Sequence, residues 1–371
     1  MMEKGNHLFH KLDRYIGIPL VFIFGLFRRK RKLPDNIQRI AILNLGSIGD
    51  NVLMSSSISD LRSIYPDAEI VVFTGATNFA IVKLIPGINE VIKLNISNFF
   101  KSYSEIKKKE NLDLLIDFGP WPRINSIYAF LFKTKYTIGF KTKKQYRHYI
   151  YDNVVEHSDE KHEIDNHRSL IKSLYNNLNH NPQLIVRKHD LNKFGINPSH
   201  KIAILHPWSG GLRKIDKQWK NENWEKLYFA IYKDFDHIVI TGGPSDFDDS
   251  QELLIQIQKD KDAPNIMNMA GALSLSETIY LIRSSSFVFC VDTGIAHIAA
   301  ALDKPQICLQ GPAKSSRWRP YSTKAVVVNP SKGIYGYISL GFEKKPDNTN
   351  CMENIQIDDV LDKFYKYEFK N

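Results

Sequence analysis

Four short loops in this 371-residue sequence gather glycines, carboxylates and a few cations, the side chains and backbone that hold anions and move protons. The first is Gly46-Ser47-Ile48-Gly49-Asp50, directly after the apolar run Ile40–Leu45. Gly46 and Gly49 allow a tight turn and let a ligand approach backbone N–H groups at a helix start, with Ser47 between them. Asp50 reads in two ways, as a cap for the helix beginning at Asn51 or as a cleft carboxylate serving as general base. The second loop runs from His206 to Trp219 and contains Ser209-Gly210-Gly211 and the cations Arg213, Lys214 and Lys217. That charge is either a phosphate contact or a solvated surface cluster. The third, Thr241-Gly242-Gly243-Pro244-Ser245-Asp246, offers Asp246 as a helix cap or as an acceptor for ribose hydroxyls. The fourth, Asp292-Thr293-Gly294-Ile295-Ala296-His297, opens a helix whose first amides suit an anion such as a diphosphate. His297 lies on its first turn, facing the same ligand or satisfied in the core. Gly311-Pro312 adds a further turn of the same kind.

These loops need strands to carry them. From Arg39 onward short apolar runs alternate with longer amphipathic stretches, the pattern of βαβ units and a parallel sheet. Strands are expected at Ile40–Leu45, Glu69–Phe73, Val91–Leu94 and Leu112–Asp117, with a helix at Asn51–Tyr65. The polar stretch around Asn176–Asn197 reads as a linker. The pattern then restarts, with strands at Ile202–Leu205, His237–Thr241, Phe287–Val291 and Gln306–Leu309, and helices at Trp224–Lys233, Ser276–Ser284 and Ile295–Leu302. The expectation is an α/β protein of two doubly wound domains: a segment 1–38, a first domain 39–180, a linker 181–200 and a second domain 201–371. Ligands of such sheets bind outside the carboxyl ends of the strands, where all four loops fall.

Composition narrows the class. With 43% hydrophobic and 24% charged residues, the chain is neither disordered nor fibrous. Cys290, Cys308 and Cys351 form no disulfide framework and no zinc spacing, which suggests a reducing, cytosolic setting. Asp159, His162, Asp165 and His167 match no standard metal site, so no metal is expected. The net charge of +10 is concentrated in residues 1–39, which hold nine Lys or Arg against three Asp or Glu. There the 12-residue apolar run Ile16–Phe27 is followed at once by Arg28-Arg29-Lys30-Arg31-Lys32. Twelve helical residues rise about 18 Å, too little for a hydrocarbon core of about 30 Å. Residues 8–32 therefore suit an interfacial anchor on the cytoplasmic face of an inner membrane, or a helix docked on the protein's own core.

In order and spacing, GSIGD, HPWSGG with Lys217-Gln218-Trp219, TGGPSD, AGALSLSETIYLIRSS from Ala270, and DTGIAHIAAALDKP from Asp292 with Gly311-Pro312 resemble the family 9 glycosyltransferases. The best-known members are bacterial lipopolysaccharide heptosyltransferases, and the resemblance runs from about Arg39 to Val360. It implies the GT-B architecture, two Rossmann-like domains facing a cleft, and inverting transfer of a sugar, heptose from ADP-heptose, to a lipid-linked saccharide acceptor. By motif position it implies Asp50 as catalytic base, Lys217 on the donor phosphates, and Asp292, Thr293, Gly294 and His297 in the donor motif. Asp246 stands where many members have Glu near the donor ribose. No cofactor beyond the nucleotide-sugar substrate is implied. The cysteine-rich carboxy-terminal signature of some relatives is reduced here to Cys351-Met352.

Two other classes fit less well. A dinucleotide-dependent oxidoreductase lacks both GxGxxG and an acidic residue ending the second strand. A basic module binding nucleic acid or anionic lipid would explain residues 1–39 and leave the four loops without a purpose. No nucleic-acid partner is expected.

Overall fold

The computed structural model describes residues 7–211, 214–259, 262–340, 343–347 and 349–368. Leu212 and Arg213 of the second loop lie outside these, as do the first six residues of the basic segment. The chain divides into two compact units, residues 1–183 and 184–371.

In the first unit six strands, β1 (Arg39–Asn44), β2 (Glu69–Gly75), β3 (Glu90–Leu94), β4 (Leu112–Asp117), β5 (Thr134–Lys141) and β6 (Asn153–Glu156), form a sheet in the order β3-β2-β1-β4-β5-β6. Every neighbouring pair is parallel. The central strands β1 and β4 are apolar along nearly their whole length and buried on both faces, as a parallel sheet covered by helices demands. The helices are α1 (His7–Tyr15), α2 (Gly17–Leu26), α3 (Ile48–Ile64), α4 (Phe79–Val82), α5 (Phe99–Lys107), α6 (Arg123–Leu131) and α7 (Glu163–Lys172). Val21 of α2, Ile106 of α5 and Tyr128 of α6 join Ala41, Phe73 and Leu115 in one core. The helices α2, α5 and α6 therefore cover a single face of the sheet.

The second unit repeats the plan. Strands β7 (Ile202–His206), β8 (His237–Ile240), β9 (Ile266–Asn268), β10 (Phe287–Val291), β11 (Gln306–Leu309) and β12 (Ala325–Val328) are ordered β12-β11-β10-β7-β8-β9 and all parallel. Numbered within each unit and read from the appropriate edge, both sheets follow the 3-2-1-4-5-6 Rossmann order. Helices α8 (Asn221–Ile231), α9 (Phe247–Gln258), α10 (Leu275–Ser284), α11 (Gly294–Ala301), α12 (Ser315–Trp318) and α13 (Ile357–Glu368) complete it. Phe364 of α13 packs on Phe287 and Phe289 of β10, so the end of the described chain closes the core of this unit.

The structure draws the domain borders differently from the sequence expectation. The described part of the expected segment 1–38, residues 7–38, is not separate from the first unit, because one face of α2 enters its core through Val21, Leu20 and Phe24. The break between α1 and α2 has a local cause: Pro19 has no N–H and crowds the carbonyl four residues back, that of Tyr15, so it is tolerated only in the first turn of a helix. The stretch 181–200 is not a free linker either. Residues 181–183 belong to the first unit and the rest to the second, where Leu191 and Ile196 are fully buried.

The cationic run is partly spent on the same docking. Arg28 and Arg31 both pair with the buried Asp152, Arg31 at 2.7 Å, and Asp152 also accepts from the Thr137 amide and hydroxyl. At the other end Asp13 pairs with Arg123 at 2.7 Å and accepts from the Arg123 and Ile124 amides, capping α6. Among the described residues no helix is long and apolar enough to cross a membrane.

Candidate active site

Ser47 is the N-cap of α3 and Asp50 its third residue, and the two form a reciprocal capping box. The Asp50 Oδ2 accepts from the Ser47 amide and hydroxyl, and the Asp50 amide donates to Ser47 Oγ at 3.4 Å. Ser47 and not Asp50 is therefore the N-cap, and α3 begins at Ile48, three residues before the expected Asn51. Asp50 joins the cap from inside the first turn with one carboxylate oxygen; its Oδ1 has no hydrogen bond among the described residues, and the side chain is partly exposed. Capping and proton abstraction are therefore compatible. Gly46 is required by space: a Cβ there would sit 2.8 Å from both Asn44 Oδ1 and Asp50 Cβ. Two asparagines shape this loop, Asn44 accepting from the Gly46 amide at 2.9 Å and Asn78 donating to its carbonyl. Sequence reasoning missed both, although a polar residue ending an apolar strand, as Asn44 does, is a legible sign. Gly49 is buried within the first turn of α3.

At the carboxyl edge of the second sheet, Lys217 and Asp292 meet. The Lys217 ammonium pairs with Asp292 Oδ2 and lies 3.4 Å from its carbonyl oxygen, and Ser209 Oγ lies 3.4 Å from that same carbonyl. Asp292 is 6% exposed, so its charge is held largely by this lysine. Thr293 caps α11 without using its hydroxyl, and Thr293 and Gly294 are partly open to solvent. The first-turn amides of a helix have no partner within it, so this end presents donors and roughly half a positive charge beside a lysine. His297 is buried on the same helix. Gly210 is exposed with open space around it.

The β8 loop packs onto the β7 loop. A Cβ on Gly242 would lie 2.9 Å from the Trp208 ring and 3.0 Å from Asp246 Cβ. Asp246 accepts from the Gly243 amide at 2.8 Å, closing the turn ahead of α9, makes no side-chain cap bond to α9 itself, and is partly exposed. Beneath these loops His206 makes a 2.9 Å hydrogen bond with Thr241 Oγ1, and burial pushes its pKa down to about 4, which keeps the ring neutral. Gly311 lies in a bend directly after β11, and a Cβ there would meet Met352 Sδ at 2.5 Å and Cys351 Sγ at 3.0 Å, so it also makes room for the carboxy-terminal segment. His162 caps α7 and His157 and His167 flank the buried Glu163. Among the described residues no three His, Cys, Asp or Glu are grouped as metal ligands.

Two Rossmann-like units, each built on a parallel six-stranded sheet, make up the GT-B architecture of glycosyltransferases. Residues 124–334, more than half of the chain, match glycosyltransferase family 9 (heptosyltransferase), and the chain belongs to that family. It is 23% identical over 344 residues to the lipopolysaccharide core heptosyltransferase of Haemophilus influenzae, covering 88% of this chain and 96% of that one. Against lipopolysaccharide heptosyltransferase 2 of Salmonella typhimurium it is 28% identical over 119 residues, which span only 34% of that relative. The solved structure of the Escherichia coli ADP-heptose lipopolysaccharide heptosyltransferase II has the same fold, with a TM-score of 0.71 at 20% identity, covering 90% of this chain and 99% of that one.

Proposed function

We propose that this protein transfers a sugar with inversion, heptose from an ADP-linked donor, to a lipid-linked saccharide of the lipopolysaccharide core type. The observation that carries the reading is the Lys217–Asp292 pair at the open start of α11. A nucleoside diphosphate brought there meets an ammonium, a helix N-terminus and the unused Thr293 hydroxyl. These are the groups that stabilise negative charge as it builds on a leaving diphosphate. Asp50, on its own unit, supplies the base: its Oδ1 takes the proton of an acceptor hydroxyl as that oxygen attacks the anomeric carbon. The diphosphate leaves from the opposite face, which inverts the centre and calls for one catalytic carboxylate. The names of the curated relatives support the sugar and the acceptor class.

The test is thermal stabilisation of the purified protein by ADP, UDP, GDP and CMP. A ligand at about 100 times its Kd adds roughly 2.7 kcal/mol. Selective stabilisation by ADP, lost in Lys217→Ala, is expected. Preference for another nucleotide replaces the donor, and no response to any of them removes the donor-site assignment.

A further inference from the structure

We infer that the outer surface of the α2–α6–α5 layer is a docking face for an anionic phospholipid bilayer, presented rigidly by the first unit. One side of α2 is buried in the core, yet the opposite side is equally apolar: Phe22, Ile23, Leu26 and Phe27 are exposed, Leu26 by 85% and Phe27 by 74%. On the same face of the sheet, across α6, the start of α5 exposes Phe99, and Phe100 by 81%. A contiguous helical layer with large side chains turned to solvent on two of its three helices marks an interaction surface.

Charge selects the occupant. Arg28 and Arg31 are taken up by Asp152, whereas Arg29, Lys30 and Lys32 are exposed and make no ion pair among the described residues. These three lie between and just after the two anchors, within a few residues of the exposed Leu26 and Phe27 at the end of α2. A second copy of this chain would bring the same excess of cations and no anionic partner for them from this patch. A bilayer with anionic headgroups matches both parts, with acyl boundary for the aromatics and phosphates for the cations.

Because Asp13 fixes the α1–α2 junction to the start of α6 and Asp152 fixes its far end, the segment is a built part of the unit rather than a tether. The α6 start follows the carboxyl end of β4, the strand that pairs with β1, from which the Asp50 loop leaves. The docking face thus begins at the sheet edge that carries Asp50. This deepens the acceptor side of the proposed function and rests on it only for the acceptor being lipid-borne.

The test is co-sedimentation of the full chain, without nucleotide or acceptor, with phosphatidylcholine vesicles and with vesicles also containing phosphatidylglycerol. Binding is expected only to the anionic vesicles and to weaken with salt. The exposed triple variant Ile23→Ser/Leu26→Ser/Phe27→Ser is expected to lose at least tenfold in affinity at unchanged Tm, and Phe100→Ser to lose severalfold. Each of Arg29→Ala, Lys30→Ala and Lys32→Ala is expected to lose about fivefold. Equal binding by wild type and the triple variant, no binding by wild type, or a concentration-dependent dimer abolished by the triple variant without any lipid binding would overturn the proposal. ADP stabilisation and transfer to a detergent-dispersed acceptor stay intact in these variants, so failure here is distinct from failure of the proposed function.

Discussion

Lys217 and Asp292, 75 positions apart in the chain, form an ion pair at the mouth of α11, with the carboxylate nearly buried and the ammonium partly exposed. The carboxylate holds the lysine at the point where a helix start leaves its amides unpaired, so the cation is in place before a diphosphate arrives. Preorganisation of this kind spares the rearrangement that a solvated lysine would need.

Removing the lysine should therefore have two separable effects. Lys217→Ala deletes a charge-assisted phosphate contact, worth about 1.5–3 kcal/mol, and ADP affinity should fall roughly 10- to 100-fold. It also leaves Asp292 buried without its partner, which should cost about 3 kcal/mol of stability. In Lys217→Ala/Asp292→Asn the lost stability should largely return while ADP binding stays weak. Calorimetric titration with denaturant melts separates the two.

Asp50 is both a member of the cap and the base in this account, and two substitutions divide the roles. Asp50→Asn keeps an oxygen for the Ser47 amide and should change stability little, while transfer falls about 10²- to 10⁴-fold. Asp50→Ala should lose transfer equally and about 1 kcal/mol of stability besides. ADP binding should be unchanged in both, as read by thermal shift.

Gly46→Ala tests the positioning of that carboxylate. Its Cβ would meet Asn44 and Asp50 at 2.8 Å, so Asp50 must shift. Steady-state kinetics should show a fall in kcat of about 10²-fold, the cost of misplacement by an ångström, with the donor KM little altered.

The buried groups predict how stability follows pH. His206 is held neutral, with its pKa lowered to about 4 against an ordinary value of about 6.5. Its penalty is absent above about pH 6.5 and grows as pH falls toward 4, because the unfolded chain takes up the proton first, reaching about 3 kcal/mol. His206→Gln should flatten that part of the stability profile. Burial raises the Asp152 pKa, but hydrogen bonds and charge from Arg31 and Arg28 outweigh it and leave the pKa below the ordinary carboxylate range. That contribution is present above about pH 3.9 and disappears as pH falls through the lowered value. Asp152→Asn should therefore differ most from wild type near neutrality and converge with it in acid, as measured by urea melts across pH.

Much of the fold was legible because its inner strands are largely apolar runs. Leu112–Asp117, Phe287–Val291 and Gln306–Leu309 begin and end where the sequence indicated. Strands β5 and β6 were not, since Thr134–Lys141 carries lysines at both ends and Asn153–Glu156 is four residues with polar ends. They become strands only through pairing with β4 and with each other. The helix start near Asp50 was legible but three residues late, since Ser47 is the N-cap and Asp50 the third residue of α3. The Lys217–Asp292 pair was not, because no local pattern reports a contact across 75 residues. The two faces of residues 16–27 were equally hidden, since a run apolar all round has no periodicity to say which side is buried.

The most direct measurement is transfer itself: incubation of the protein with ADP-heptose and heptose-deficient lipopolysaccharide core, following ADP release together with the mass and anomeric configuration of the product. A heptosylated core with inverted configuration is expected, formed by wild type and reduced at least 10²-fold by Asp50→Asn at undiminished ADP binding. A folded, ADP-binding wild type that leaves both substrates unchanged, or an Asp50→Asn protein that transfers at the wild-type rate, would contradict that expectation.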